Sequence, residues 1–169
     1  FSDRREIHVA VAQAIEKMGA TPAFLGYKGF PATICCSLNE EVVHGIPSGR
    51  TLKEGDIVGI DIGLAYKGFY ADSATTYGVG PVSDEAQRLM DVTREALQRG
   101  IEKMWPSNRV GDVSQAIQTH AESRAFSVVR EYTGHGIGRA MHESPECPNF
   151  LEAKRGRGKR LMPGVTIAI

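Results

Sequence analysis

The chain has no excess of either charge: 20 lysines and arginines meet 20 aspartates and glutamates over 169 residues. Nothing in that balance argues for a nucleic-acid or membrane partner. No apolar run is long enough to cross a bilayer, and the opening Phe-Ser-Asp-Arg-Arg is no signal peptide. Cysteine is scarce. The three present, two of them adjacent at Cys35 and Cys36, give neither a disulfide framework nor a zinc-ligand spacing. A reducing cytoplasm suits them. No internal repeat and no linker divides the sequence, so residues 1–169 are expected to form a single domain. What remains, 41% hydrophobic and 24% charged residues, is the composition of a soluble globular protein. The first residue is Phe, and Gly164 to Ile169 stop inside an apolar strand pattern, so both ends are expected to be cut.

The most informative stretch runs from Gly55 to Tyr77 and reads as a β-hairpin. Ile57, Val58, Ile60 and Ile62 lead in, Lys67-Gly68 supplies a turn, and Phe69 and Tyr70 open the return strand. A two-residue turn there pairs Tyr66 with Phe69, Gly63 with Asp72 and Asp61 with Ala74. Asp72 then becomes the diagonal neighbour of Asp61 on one face, roughly 7–8 Å away or somewhat less. Two carboxylates pointing into one apolar site repel unless a proton or cation lies between them, and a divalent metal answers that need. The alternative is two independent aspartates, each bonded to a loop amide or an arginine.

Around the hairpin the periodicities alternate. Asp3 with Glu6 makes a capping box for a helix with Ile7, Val11, Ala14, Ile15 and Met18 on one face, ended by Gly19. Residues Pro22 to Pro31 form a loop dense in aromatics and glycine, and Thr33–Leu38 form a strand. Asn39 to Pro47 hold His44-Gly45 in a turn. Ser83 starts a long helix burying Ala86, Leu89, Met90, Ala96, Leu97, Ile101 and Met104, stopped by Pro106. Asp112 and Gln115 form another capping box for a helix burying Val113, Ala116, Ile117 and Ala121, with Ala125 where a helix often ends in glycine. Ser127–Tyr132 read as a strand leading into Gly134-His135-Gly136, and Glu152 to Arg160 as a solvated basic loop. The fold class is α+β, with helices covering one face of a curved antiparallel sheet.

Three histidines keep unusual company: His44 before Gly45, His135 between glycines, and His142 seven residues further on. Glycines beside a histidine let the backbone turn sharply or approach another group, which suits a site wall. His8 and His120, on helices, read as structural. A dinucleotide loop at Gly134-x-Gly136 is rejected, because Arg139 holds the third-glycine position and Pro145 leaves no room for a long helix.

Taken together, Asp61 and Asp72 ten residues apart, His44-Gly-Ile-Pro47, Gly-His135-Gly-Ile-Gly-Arg and His142-Glu-x-Pro145 resemble the type I methionine aminopeptidases. The likeness covers the chain from about Thr21 onward with the motifs in order. It implies the pita-bread fold, a pseudo-two-fold pair of α+β halves around a two-metal site, and removal of the initiator methionine from nascent proteins. Asp61, Asp72 and His135 match three of the family's metal ligands, for two divalent ions such as Co, Mn, Fe, Zn or Ni. Two glutamate ligands have no counterpart: Gly164 to Ile169 match a Gly-x-x-x-x-Ile-Glu-Pro strand up to the residue before its glutamate. The 169 residues alone are therefore expected to bind at most one ion and to be inactive. Water shared by such ions becomes the nucleophile. By the same resemblance, His142 contacts the scissile amide and stabilises the oxyanion, and His44 assists proton transfer. Tyr27, Phe30, Cys35 and Met141, with Phe24, match the methionine side-chain pocket, whose aromatic and sulfur walls suit a thioether. The partners so implied are N-terminal methionines, with the basic loop suited to transient ribosome contact, and the protein is expected to be a cytoplasmic monomer. Two alternatives stay open: the related Xaa-Pro peptidase, and a non-catalytic pita-bread binding protein.

Overall fold

Asp3 is the N-cap of α1 (Arg4–Lys17), its Oδ1 accepting from the amides of Arg5 at 2.8 Å and Glu6 at 3.1 Å. The computed structural model describes every residue except Glu152, Ala153 and Arg155. The chain forms two compact units, residues 1–87 with 139–141, and residues 88–138 with 142–169.

In the first unit the expected capping box is displaced by one residue, because Glu6 Oε2 accepts from the Ser2 amide at 2.6 Å rather than from Asp3. Ile7 and Ile15 are buried, but Ala14 and Met18 of the expected face are exposed. Met18 is the C-cap, where the chain leaves the helix through Gly19 at φ 69°. A four-stranded antiparallel sheet follows: β1 (Thr21–Pro22), β2 (Ile34–Leu38), β3 (Ile57–Tyr66) and β4 (Phe69–Gly78). β2 and β1 pair with one edge of β3, and β4 with the other. The β3–β4 turn places Lys67 at φ 50° and Gly68 at φ 82°, the backbone of a two-residue hairpin turn that matches strand twist. Its register is the expected one: Tyr66 opposite Phe69, Gly63 opposite Asp72, Asp61 opposite Ala74.

Alternation sorts β3 into two faces. Val58, Ile60 and Ile62 join Ile7, Ile34, Cys36 and Leu38 in the core of this unit. Gly59, Asp61 and Gly63 therefore turn the other way. Every residue of β2 is buried, as its unbroken Ile-Cys-Cys-Ser-Leu run implies.

The second unit carries α2 from its second turn on (the helix spans Asp84–Ile101), α3 (Val110–Glu122) and a three-stranded sheet of β5 (Thr133–Gly136), β6 (Glu143–Pro148) and β7 (Ile167–Ala168), in the order β6-β5-β7. Its core gathers Ala96, Val110, Val113, Ile117, Cys147 and Leu161.

The structure departs from three expectations. The buried line of α2 is Val92, Ala96 and Gly100, whereas Leu89, Leu97 and Ile101 are exposed. The reason is close helix approach: a Cβ on Gly100 would stand 2.9 Å from Ile117 Cδ1, so the small residues face α3 and the leucines are turned aside. Next, α3 starts at Val110, and Asp112 lies inside its first turn, where Oδ2 accepts from the Arg109 amide at 2.8 Å. Asp112 thus closes a cap rather than opening one with Gln115. Finally, Ser127–Tyr132 form no strand. The Val129 carbonyl is taken by the Asn149 side chain at 3.1 Å and the Arg130 amide by Glu131 Oε2 at 3.1 Å, which leaves no ladder.

The strand begins instead at the glycine–histidine motif. A Cβ on Gly134 or on Gly136 would come within 2.5 Å of the Ala168 or Ser144 carbonyl oxygen respectively. Both glycines are there for backbone approach. Of the basic stretch, Glu152, Ala153 and Arg155 lie outside the described residues. Arg157 ion-pairs with Asp112, with Nε to Oδ1 at 2.8 Å, and Lys159 donates to Ser144 Oγ, so these two cations are engaged rather than merely solvated.

Candidate metal centre

The Gly59-Ile-Asp-Ile-Gly63 run builds the site's first wall. Its isoleucines enter the core, which leaves Gly-Asp-Gly on the opposite face with Asp72 and Ala74 of β4 and Cys35 of β2, directly across from Asp61. The glycine at 63 has a use that sequence reading missed. Phe24 packs its ring over it, and a Cβ there would stand 2.7 Å from Cδ1 and 2.8 Å from Cζ, with Cε1 closer still. The signal was Gly in the middle of a strand, which marks a close approach.

Electrostatics single out this face. Burial, then the Asp72 charge and a hydrogen bond with Asp72, push the Asp61 carboxyl up to about 7. Its Oδ1 is buried without a hydrogen-bond partner. Burial first, then the charges of Asp61 and Asp72, push the Cys35 thiol up to about 12. That holds the Cys35 sulfur in its protonated, weakly polar thiol form. A buried acceptor with no donor, beside a second carboxylate, is an arrangement that a cation satisfies.

In the second unit His135 sits on β5 and packs against His142, their ring centroids 4.1 Å apart and tilted by 41°. His135 Nδ1 lies 2.9 Å from the Gly136 carbonyl oxygen. A carbonyl only accepts, so Nδ1 carries a proton, and whenever the ring is neutral its lone pair is on Nε2. That is the tautomer a metal-ligating histidine needs. Among the described residues, no group of three or more His, Cys, Asp or Glu side chains is set to hold a metal ion. The paired carboxylates of the first unit and, separately, the imidazole of the second are donor types that suit first-row divalent ions.

A profile described as metallopeptidase family M24 matches residues 3–169. The chain belongs to metallopeptidase family M24. Among its relatives, a methionine aminopeptidase of Clostridium perfringens is 49% identical over 97% of this chain and 65% of its own length. Methionine aminopeptidase 1 of Bacillus subtilis is 47% identical over 98% of this chain and 66% of its own. The chain thus spans just under two thirds of these relatives. The crystal structure of a methionine aminopeptidase from Rickettsia prowazekii superposes with a TM-score of 0.94 at 42% identity, covering 98% of this chain and 66% of that one. A prolidase from Pyrococcus furiosus, 20% identical with a TM-score of 0.79 over 99% of this chain and 48% of that one, shares the fold alone. The pita-bread α+β fold expected from sequence is the fold of this M24 chain.

The remaining positions marked in the sequence fall as follows. Tyr27 lies in a short 3-10 turn, Tyr27–Gly29, and is half-buried, as is Phe30. Phe24, Cys35 and Met141 are buried. His44 is exposed at φ 60°. His8 and His120 are structural: His8 Nε2 accepts from the Thr33 amide at 3.1 Å, and buried His120 bonds Glu95 at 2.9 Å. A cavity of about 520 Å³ in the second unit, lined by Val110, Ser114, Glu143, Pro145 and Lys159 among others, contains none of the metal-ligand, catalytic or methionine-pocket residues expected from the sequence. No helix is long and apolar enough to cross a membrane among the described residues.

Proposed function

We propose that the protein removes the N-terminal methionine of nascent polypeptides, with residues 1–169 belonging to one catalytic domain. The observation that carries this reading is the aspartate face: a buried Asp61 oxygen without a donor, beside Asp72, in an M24 chain. Identity of 47–49% to proteins named methionine aminopeptidase supports the substrate. Asp61, Asp72 and the Nε2 of His135 would supply three of the ligands for two divalent ions, from among Co, Mn, Fe, Zn and Ni. When bound, such ions supply an acidified water and polarise the peptide carbonyl.

The chain's own residues do the rest. His142 contacts the scissile amide and steadies the oxyanion, and His44 passes a proton to the departing nitrogen. Tyr27, Phe30, Cys35 and Met141 form the methionine slot, whose polarizable walls favour a thioether over a plain alkyl chain. Three buried free thiols support a reducing, cytoplasmic setting. The protein acts as a monomer on emerging chains, with the basic stretch around Lys154 and Arg160 available for transient ribosome contact.

The test uses full-length protein loaded with Mn²⁺ or Co²⁺ and two substrates, Met-Ala-Ser and an Xaa-Pro dipeptide. Methionine should be released and the Xaa-Pro bond left intact, and Asp61→Ala or Asp72→Ala should abolish release. Activity retained within about tenfold in either variant would remove the aspartates from the metal site. Preference for Xaa-Pro would replace the substrate assignment.

A further inference from the structure

Arg4 opens α1, yet it is only 5% exposed. Its guanidinium joins three segments. Nη1 donates to the Cys36 carbonyl at 2.9 Å and to Glu41 Oε2 at 2.6 Å, and Nη2 donates to Ser48 Oγ at 2.9 Å. Glu41 Oε2 also accepts from the Leu38 amide at 3.0 Å, and Arg50 Nη1 stands 3.7 Å from Oε1. The pair thus grips residues 41 and 48, the two sides of the loop that carries His44.

Between those grips the backbone is laced to β2. The Gly45 amide donates to Ser37 Oγ at 3.0 Å, and its carbonyl accepts from the Cys36 amide at 2.7 Å. The His44 amide donates to the Cys35 sulfur. A Cβ at Gly45 would stand 2.7 Å from Glu41 Oε2, so Glu41 packs directly on the residue after His44. His44 itself sits at φ 60°, a conformation that a non-glycine residue keeps only when its surroundings over-determine it. Burying a guanidinium is costly, and an apolar side chain would fill the same space. What the apolar side chain lacks is a planar fork that reads a carbonyl, a carboxylate and a hydroxyl at once.

We propose that Arg4 and Glu41 are positioning residues that hold His44 in its left-handed conformation, so that its imidazole is presented for proton transfer. The proposal rests on the role given to His44 above, and neither Arg4 nor Glu41 touches substrate. Sequence reading marked His44 but not its clasp, which lies 37 residues apart along the chain.

The test compares Arg4→Met, Glu41→Gln and His44→Ala in the metal-loaded full-length protein, with Met-Ala-Ser as substrate. Arg4→Met should lower kcat by about 10- to 100-fold, the scale of a misplaced catalytic group, with KM nearly unchanged. Glu41→Gln keeps the shape and loses only the charge, and should fold even where Arg4→Met does not. It should lower kcat less and leave KM alone. Amide exchange at Gly45, read in the same folded variants, should quicken while the Ile34 amide stays protected. Full kcat in a folded Arg4→Met or Glu41→Gln protein, with His44→Ala impaired, overturns the positioning role. Full kcat in His44→Ala instead overturns the reading of His44, and Gly45 exchange then decides the clasp: unchanged protection overturns it, faster exchange upholds it.

Discussion

Replacing Gly63 by alanine probes the aspartate face without touching either carboxylate. The new Cβ would stand 2.7 Å from Phe24 Cδ1 and 2.8 Å from Cζ. An ordinary carbon–carbon contact is about 3.5 Å, so the ring must retreat by about 0.8 Å or more. Phe24 is buried in its own packing and has little room to move. Overpacking of this kind costs about 1–3 kcal/mol. For a chain of this size that is a fall of about 2–12 °C in melting temperature. The assay is a double-mutant cycle by urea denaturation, with Gly63→Ala made in the native background and in Phe24→Ala. Once the ring is gone, alanine in the strand should cost nothing, or gain about 0.5–1 kcal/mol from its lower unfolded-state entropy. Equal costs in the two backgrounds, to within about 0.5 kcal/mol, would refute the claim that Phe24 occupies the space of the missing Cβ. In the full-length protein the displaced ring should also raise KM for methionine peptides more than it lowers kcat.

Three further outcomes are expected. Ala125 sits at φ 62°, so Ala125→Gly should relieve strain and raise the urea midpoint by about 0.5–1 kcal/mol of stability, whereas Ala125→Val should lower it. The Asp112 carboxyl is held below its usual value by the Arg157 hydrogen bond and the Arg109 amide. Its folded pKa therefore lies under its unfolded one, and its contribution is present above the unfolded value and lost as pH falls through the folded one. Asp112→Asn should flatten the acid limb of stability below about pH 4, and an unchanged limb would count against the pairing. Mn²⁺ should raise the melting temperature of the chain at neutral pH, by binding the folded state alone, and Asp61→Asn should erase that rise. An equal rise in the variant would place the ion elsewhere.

The sequence by itself determined the hairpin and the face of it that matters. Ile57 to Ile62 alternate with period two around Asp61, and Lys67-Gly68 tolerates the left-handed backbone that a two-residue turn needs, so the register of Asp61 and Asp72 follows from local rules. The order of the motifs likewise pointed to the family, and through it to the fold. Only the tertiary structure decided what lies far apart in the chain. Which line of α2 is buried depends on Gly100 meeting Ile117, so the leucines that periodicity assigned to the core are exposed. Ser127–Tyr132 have strand-forming residues but no neighbouring strand, because side chains take their backbone groups. The ring of Phe24 over Gly63 and the grip of Arg4 on Glu41 are contacts across some 39 and 37 residues, and no local pattern encodes them. Periodicity and turn chemistry act between near neighbours; packing and buried charge pairs join segments that only the folded chain brings together.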